Sequence, residues 1–221
     1  MFRFLALLSL AVFALPAAAQ MPAEPETLYL VKRDREVIGT LKMNVTKDGA
    51  KHTVVSDYAI EVKLMSIVLY RYTKRMEEIF EGGRLVGYAA KIDDNGTPSE
   101  VTAVRKGDAL AVTHPKGTLS VPLGVLASTY WPKETPKQTQ FLDSSDGVLL
   151  NVKTAGPEPE EITLDGRTVK ALRYVMTGDL ERTLWYDAET GDWLRMQMKA
   201  SDGSTVQILR DWPPYWKRGL L

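Results

Sequence analysis

Residues 40–62 read TLKMNVTKDGAKHTVVSDYAIEV, and this stretch decides the fold class. Leu41, Met43 and Val45 face one way while Lys42 and Asn44 face the other. After Lys47-Asp48-Gly49, the residues Val54, Ser56, Tyr58, Ile60 and Val62 again share a face. A period of two with one apolar face is the pattern of a strand half-buried in a sheet. Glycine supplies the positive φ of a tight turn, and Asp tolerates it. The stretch is therefore a β-hairpin.

The same pattern extends in both directions. Turn signals recur at Gly82-Gly83, Asp94-Asn95-Gly96, Lys106-Gly107-Asp108, Pro115-Lys116-Gly117, Asp165-Gly166 and Asp202-Gly203, separated by segments rich in Val, Ile, Thr and Tyr. Alternation returns at Leu172, Tyr174 and Met176, and at Leu194, Met196 and Met198 opposite Trp193, Arg195 and Gln197. The chain reads as all-β and antiparallel.

Some stretches are less regular. Leu64 to Phe80 fits a helical stripe or a long strand. The Gly82-Gly83 turn and the apolar segment after it favour the strand, with Val68, Tyr70, Tyr72, Met76 and Phe80 on one face. Leu123 to Trp131 is apolar and stops at Pro132, which predicts one short helix over about residues 122–131. Residues 132–140 and 143–147 read as loops, and residues 156–161, Gly-Pro-Glu-Pro-Glu-Glu, as an acidic break between strands.

The N-terminus carries a different signal. Arg3 precedes an apolar run from Phe4 to Leu15, then Pro16 and Ala17-Ala18-Ala19. A charged start, a short apolar middle and a small-residue exit form a secretory signal peptide, 1–19, cleaved after Ala19. The run is shorter than the roughly 20 residues a spanning helix needs, so the mature form is expected to have no membrane span. The protein is then periplasmic or secreted, with 20–26 as a mobile leader, 27–210 as one β-rich domain and 211–221 as an aromatic, proline-rich tail. That tail reads first as a plug over an open part of the sheet, because exposed aromatic clusters are costly.

The sequence has 28 basic and 28 acidic residues and no cysteine. Disulfides and thiolate chemistry are excluded. A neutral balance without basic clusters gives no reason to bind nucleic acid. His52 and His114 are isolated and read as surface turn residues, so no metal site and no cofactor is expected. No nucleophile elbow, phosphate loop or dinucleotide fingerprint is present, and no catalytic residue is assigned. Among the carboxylates Glu78 stands out. Glu77 and Glu78 point to opposite faces of a strand, and Glu78 falls on the apolar one. A buried Glu needs a partner, for which Arg71, Arg75, Arg173, Arg182 and Arg195 are available.

Trp185-Tyr186-Asp187, Gly191-Asp192-Trp193-Leu194 and Asp202-Gly203-Ser204 form a run of hairpins, with Ser128-Thr129-Tyr130-Trp131, Gly166, Val169, Ala171 and Tyr174 upstream and Ile38-Gly39 near the start. This pattern resembles an uncharacterised family of exported bacterial proteins, the domain of unknown function DUF6134. The resemblance implies an all-β domain built as a strongly curved sheet or half-barrel, and it assigns no catalytic residue.

Two functional readings lead. In the first, a non-enzymatic periplasmic protein holds a lipid or other apolar small molecule in the half-barrel, lined by Tyr70, Tyr72, Met76, Phe80, Tyr88, Trp131, Met196 and Met198. In the second, an envelope protein is docked through a sheet edge or the C-terminal tail. An enzyme would need a cluster of polar groups with perturbed pKa in a cleft, which the sequence does not announce.

Overall fold

The computed structural model describes residues 26–212. The expected signal peptide and nearly all of the leader lie outside the described residues, as does the tail from residue 213.

Turn chemistry divides the chain into strands: β1 Thr27–Arg33, β2 Glu36–Asp48, β3 Lys51–Leu64, β4 Ile67–Glu81, β5 Arg84–Asp94, β6 Thr97–Lys106, β7 Ala109–His114, β8 Gly117–Pro122, β9 Leu126–Ala127, β10 Gln140–Leu142, β11 Leu149–Leu164, β12 Arg167–Gly178, β13 Arg182–Asp187, β14 Trp193–Lys199 and β15 Thr205–Asp211. They form one 15-stranded sheet in the order β8-β7-β6-β5-β4-β3-β2-β1-β15-β14-β13-β12-β11-β10-β9. Neighbours are antiparallel except β9 and β10, which run parallel. Each turn read from the sequence falls between two consecutive strands.

The two edges of this sheet, β8 and β9, are consecutive in the chain, joined only by residues 123–125. Four Cα steps reach at most about 15 Å. The sheet therefore curls until its edges nearly meet, yet neither edge strand is bonded to the other. This is a strongly curved sheet that stops short of a closed barrel.

The inner face buries Leu41, Val54, Met76, Leu85, Val101, Leu110, Met176 and Leu184 in one continuous core. A smaller core of Ile162, Leu164, Ala171, Trp185 and Leu194 lies apart from it, under the far half of the β11–β12 hairpin.

The short helix expected near 122–131 is absent. That segment is irregular, with the two-residue strand β9 inside it, and the only helical turn among the described residues is a 3-10 turn at Thr135–Lys137. The apolar run there exists because residues 125–130 are buried on every side, so apolar character carries no helical period. The acidic break at 156–161 is also absent. β11 runs through it, absorbing the irregularity as a register shift between Ala155 and Glu158. His52 and His114 sit within β3 and β7, half-buried, rather than in turns.

Candidate functional site

Residues 123–147 have little regular structure, yet Val125, Leu126, Ala127, Ser128, Thr129, Tyr130, Phe141, Leu142 and Ser144 are buried. This segment is a plug inside the curl. Irregular buried backbone leaves polar groups that need partners, and the wall supplies them. Tyr88 donates its hydroxyl to the Ser144 carbonyl. Tyr186 donates to the Tyr130 carbonyl at 2.6 Å. Within the plug, the Ser144 amide donates to Ser128 Oγ at 3.0 Å.

The centre of this seam lies on β4. Alternation turns Lys74, Met76, Glu78 and Phe80 inward and Arg75 and Glu77 outward. Glu78 is 1% exposed. It accepts hydrogen bonds from Trp131 Nε1 at 2.6 Å and Thr129 Oγ1 at 3.0 Å. Burial pushes its carboxyl up to about 7, although both donors favour the charged form. Lys74 is also buried. Its ammonium donates to Ser144 Oγ at 2.9 Å and Ser145 Oγ at 3.1 Å, and lies 5.1 Å from the centre of the Tyr58 ring. Burial lowers it to about 8, with Asp143 and Glu78 opposing that shift. Four strand residues span about 13 Å, so Lys74 and Glu78 are anchored to different parts of the plug rather than to each other.

The arginines expected to pair with Glu78 do other work. Arg71 pairs with Glu61, Arg75 with Asp57, and Arg173 with Glu158 and Glu160. Arg182 hydrogen-bonds Tyr130, and Arg195 lies over the Trp185 ring. On β4 the reason is parity: Arg71 and Arg75 stand on the outer face, opposite to Glu78.

Of the residues expected to line a cavity, Met76, Phe80, Tyr88 and Met196 are buried in the main core, with Tyr72, Trp131 and Met198 packed against it. Phe80 and Trp131 meet edge to face at 5.2 Å. Tyr72 Oη lies 3.3 Å from Ser145 Oγ. Tyr70 is not brought to this set. It is exposed, near the end of the β3–β4 hairpin. Two concavities of about 410 and 450 Å³ involve β3 to β6, bordered by outward residues such as Glu77, Ile79 and Gly87 in one and Asp57, Arg75 and Lys91 in the other. Tyr88 is the one expected lining residue that borders either of them.

The sequence reading missed a feature at the end of β3 and β4. Pairing of β3 with β2 begins at Ile60, and pairing of β4 with β5 begins at Tyr72. The ladder pairing of residues 61–70 runs only across their own hairpin, so they form a two-stranded ribbon beyond the sheet, with the Arg71 carbonyl at its base accepting the Asn95 amide at 2.8 Å. Leu64 (60%), Met65 (95%), Ile67 (67%), Val68, Leu69 and Tyr70 are all exposed there. The available signal was the uncharged run Leu64 to Tyr70, between Lys63 and Arg71.

A family model described as "Domain of unknown function (DUF6134)" matches residues 29–211. The chain belongs to this family. Among solved structures, it is similar to a β-barrel-like protein of domain of unknown function DUF1849 from Brucella abortus. The TM-score is 0.60 and the identity 13%, covering 84% of this chain and 95% of that one. That likeness concerns the fold. None of the curated proteins matches the chain. The resemblance read from the hairpin motifs and the curved all-β architecture it implied are both borne out.

Proposed function

We propose that this DUF6134 protein is exported and works outside the cytoplasm as a docking protein, with the β3–β4 ribbon as its contact surface. The ribbon carries this reading. Contiguous exposed apolar surface on a folded protein marks an interaction site, and among the described residues most of the exposed large apolar side chains sit on one hairpin. Export is supported by the charged, apolar and small-residue order of residues 1–19.

The cavity reading has less support. The side chains expected to line a cavity are mostly engaged in packing or in holding the plug. The Lys74–Glu78 seam is likewise committed to tying residues 128–145 to the wall.

The test is a photo-reactive amino acid placed at Ile67 in living cells, with Arg84 at the opposite end of β4–β5 as the control. Docking predicts adducts, to protein or to lipid, from position 67 and not from position 84. Equal labelling from both positions, or none from 67, overturns the reading.

A further inference from the structure

We propose that the β3–β4 ribbon docks to the surface of a lipid bilayer, its tip entering the boundary between headgroups and acyl chains. This deepens the docking reading and rests on it.

The first observation concerns the two faces of the ribbon. Ile67, Val68, Leu69 and Tyr70 are consecutive on one strand, so they must occupy both faces, and all are exposed. An edge or groove of a protein partner takes one apolar face and leaves the other to water. A lipid surface surrounds the tip and accepts both.

The second is the turn itself. Hairpins elsewhere in the chain place Asp34, Asn95-Gly96 or Asp165-Gly166 at the positive-φ positions, residues suited to that conformation. The β3–β4 turn places Met65 there, at φ 55°, with its side chain almost wholly in solvent. A long apolar side chain in the left-handed region is unfavourable, and no packing in the fold compensates for it. Such a local violation is expected where function requires the residue.

The third is the sharp boundary at the base. Lys63 and Arg71 flank the tip, both paired to Glu61 at 2.5 and 2.7 Å. Tyr70 hydrogen-bonds Asp94 at the end of β5. Long cationic side chains and a tyrosine with one polar end are the groups that settle at a membrane–water interface. From the Val62–Tyr70 rung to the turn is about three residues, or roughly 10 Å. That matches the depth of interfacial insertion, about 5–10 Å, and keeps the open strand edges near hydrated headgroups rather than in hydrocarbon.

The test is flotation of the purified chain with vesicles of phosphatidylethanolamine and phosphatidylglycerol, with the same N-terminus in every variant. The protein should float with the vesicles. Met65→Asp and Leu69→Ser should each reduce the bound fraction about tenfold while circular dichroism remains that of the parent and melting is not lowered. Val104→Ser, which removes an exposed apolar residue elsewhere on the sheet, should leave binding unchanged. In Tyr70→Trp, indole emission should shift to the blue and be quenched by lipids brominated near the headgroup.

Failure of the parent to float, or equal loss in Val104→Ser, overturns the proposal. If vesicle binding is absent while position 67 still captures one protein in cells, the docking reading survives and the lipid assignment falls. If the tip variants instead abolish a dimer, the occupant is a second copy and the lipid assignment also falls.

Discussion

Trp131 on the plug donates its indole N–H to Glu78 on the wall, 2.6 Å away, where the carboxyl is 1% exposed. This bond holds an irregular segment to a regular sheet and leaves an ionisable group out of water. Its consequences can be measured.

Stability should depend on pH through this group. The unfolded Glu78 titrates near 4.5 and the folded one near 7. Between those values the folded chain holds more protons than the unfolded one, so stability falls as pH rises through the window and levels off above it. The full span corresponds to roughly 3 kcal/mol. Urea unfolding at pH 5 and pH 8 should show this loss, and Glu78→Gln should flatten it. An unchanged slope in the variant would remove Glu78 as its source.

Lys74 acts in the opposite sense. Its folded value is near 8 against 10.5 unfolded, so the folded chain holds fewer protons in that window and stability recovers as pH rises above about 8. Together the two groups place a minimum of stability between about pH 7 and 8. Lys74→Met should lose the alkaline recovery, read over pH 8 to 9, below the range in which the tyrosines of the unfolded chain ionise.

Trp131→Phe keeps an aromatic ring against Phe80 and removes the donor to Glu78. A buried acceptor left without its partner costs about 1–3 kcal/mol. The loss should be greater at pH 8, where the carboxylate is charged, than at pH 5. A pH-independent loss would indicate packing alone.

At the tip, stability and docking should separate. Met65→Gly relieves the left-handed strain and is expected to raise stability by up to about 1 kcal/mol, seen as a higher melting temperature. The same change should weaken docking. A loss of stability would show that Met65 packs against something in the folded chain.

Gly39→Ala tests a different constraint. A Cβ there would run into the Ala59 carbonyl oxygen and the Ile60 Cα of the paired strand, all backbone atoms that cannot swing aside. Destabilisation of about 1–3 kcal/mol is expected from this overpacking, measured by urea midpoint. Gly49→Ala probes a hairpin position where a Cβ meets open space and only the positive φ matters.

Most strands were legible because their turns obey simple chemistry and one face is dry. Leu41, Met43 and Val54 face inward as their alternation says. Legibility failed where a second cause produced the same pattern. Leu123 to Trp131 is apolar from burial rather than from helical periodicity. Leu194 alternates in sequence with Met196, but Trp185 pairs with Arg195 while Tyr186 pairs with Trp193. This bulge sends Leu194 to the smaller core with Trp185. The turn at Met65-Ser66 lacks the Gly, Asn or Asp that marks turns elsewhere, so Leu64 to Phe80 reads as one continuous element. In the candidate site, Glu78 could be singled out from its parity alone. Its partners could not, because Thr129 and Trp131 arrive from an irregular segment more than fifty residues away.

The strand order also governs how the molecule can assemble. Apart from β1 and β15, every ladder links strands that are consecutive in the chain, so each half of the sheet can grow as local hairpins. The two halves are joined by β1 and β15, whose register pairs Leu28 with Asp211. That contact closes almost the whole described chain into a loop, and long-range closure of this kind is slow. The first strand, β1, is the middle strand of the sheet, and the last, β15, lies beside it. A chain truncated before Thr205 would leave two hairpin arrays with unprotected edges, so the folded state becomes available only once residues 205–211 have been made.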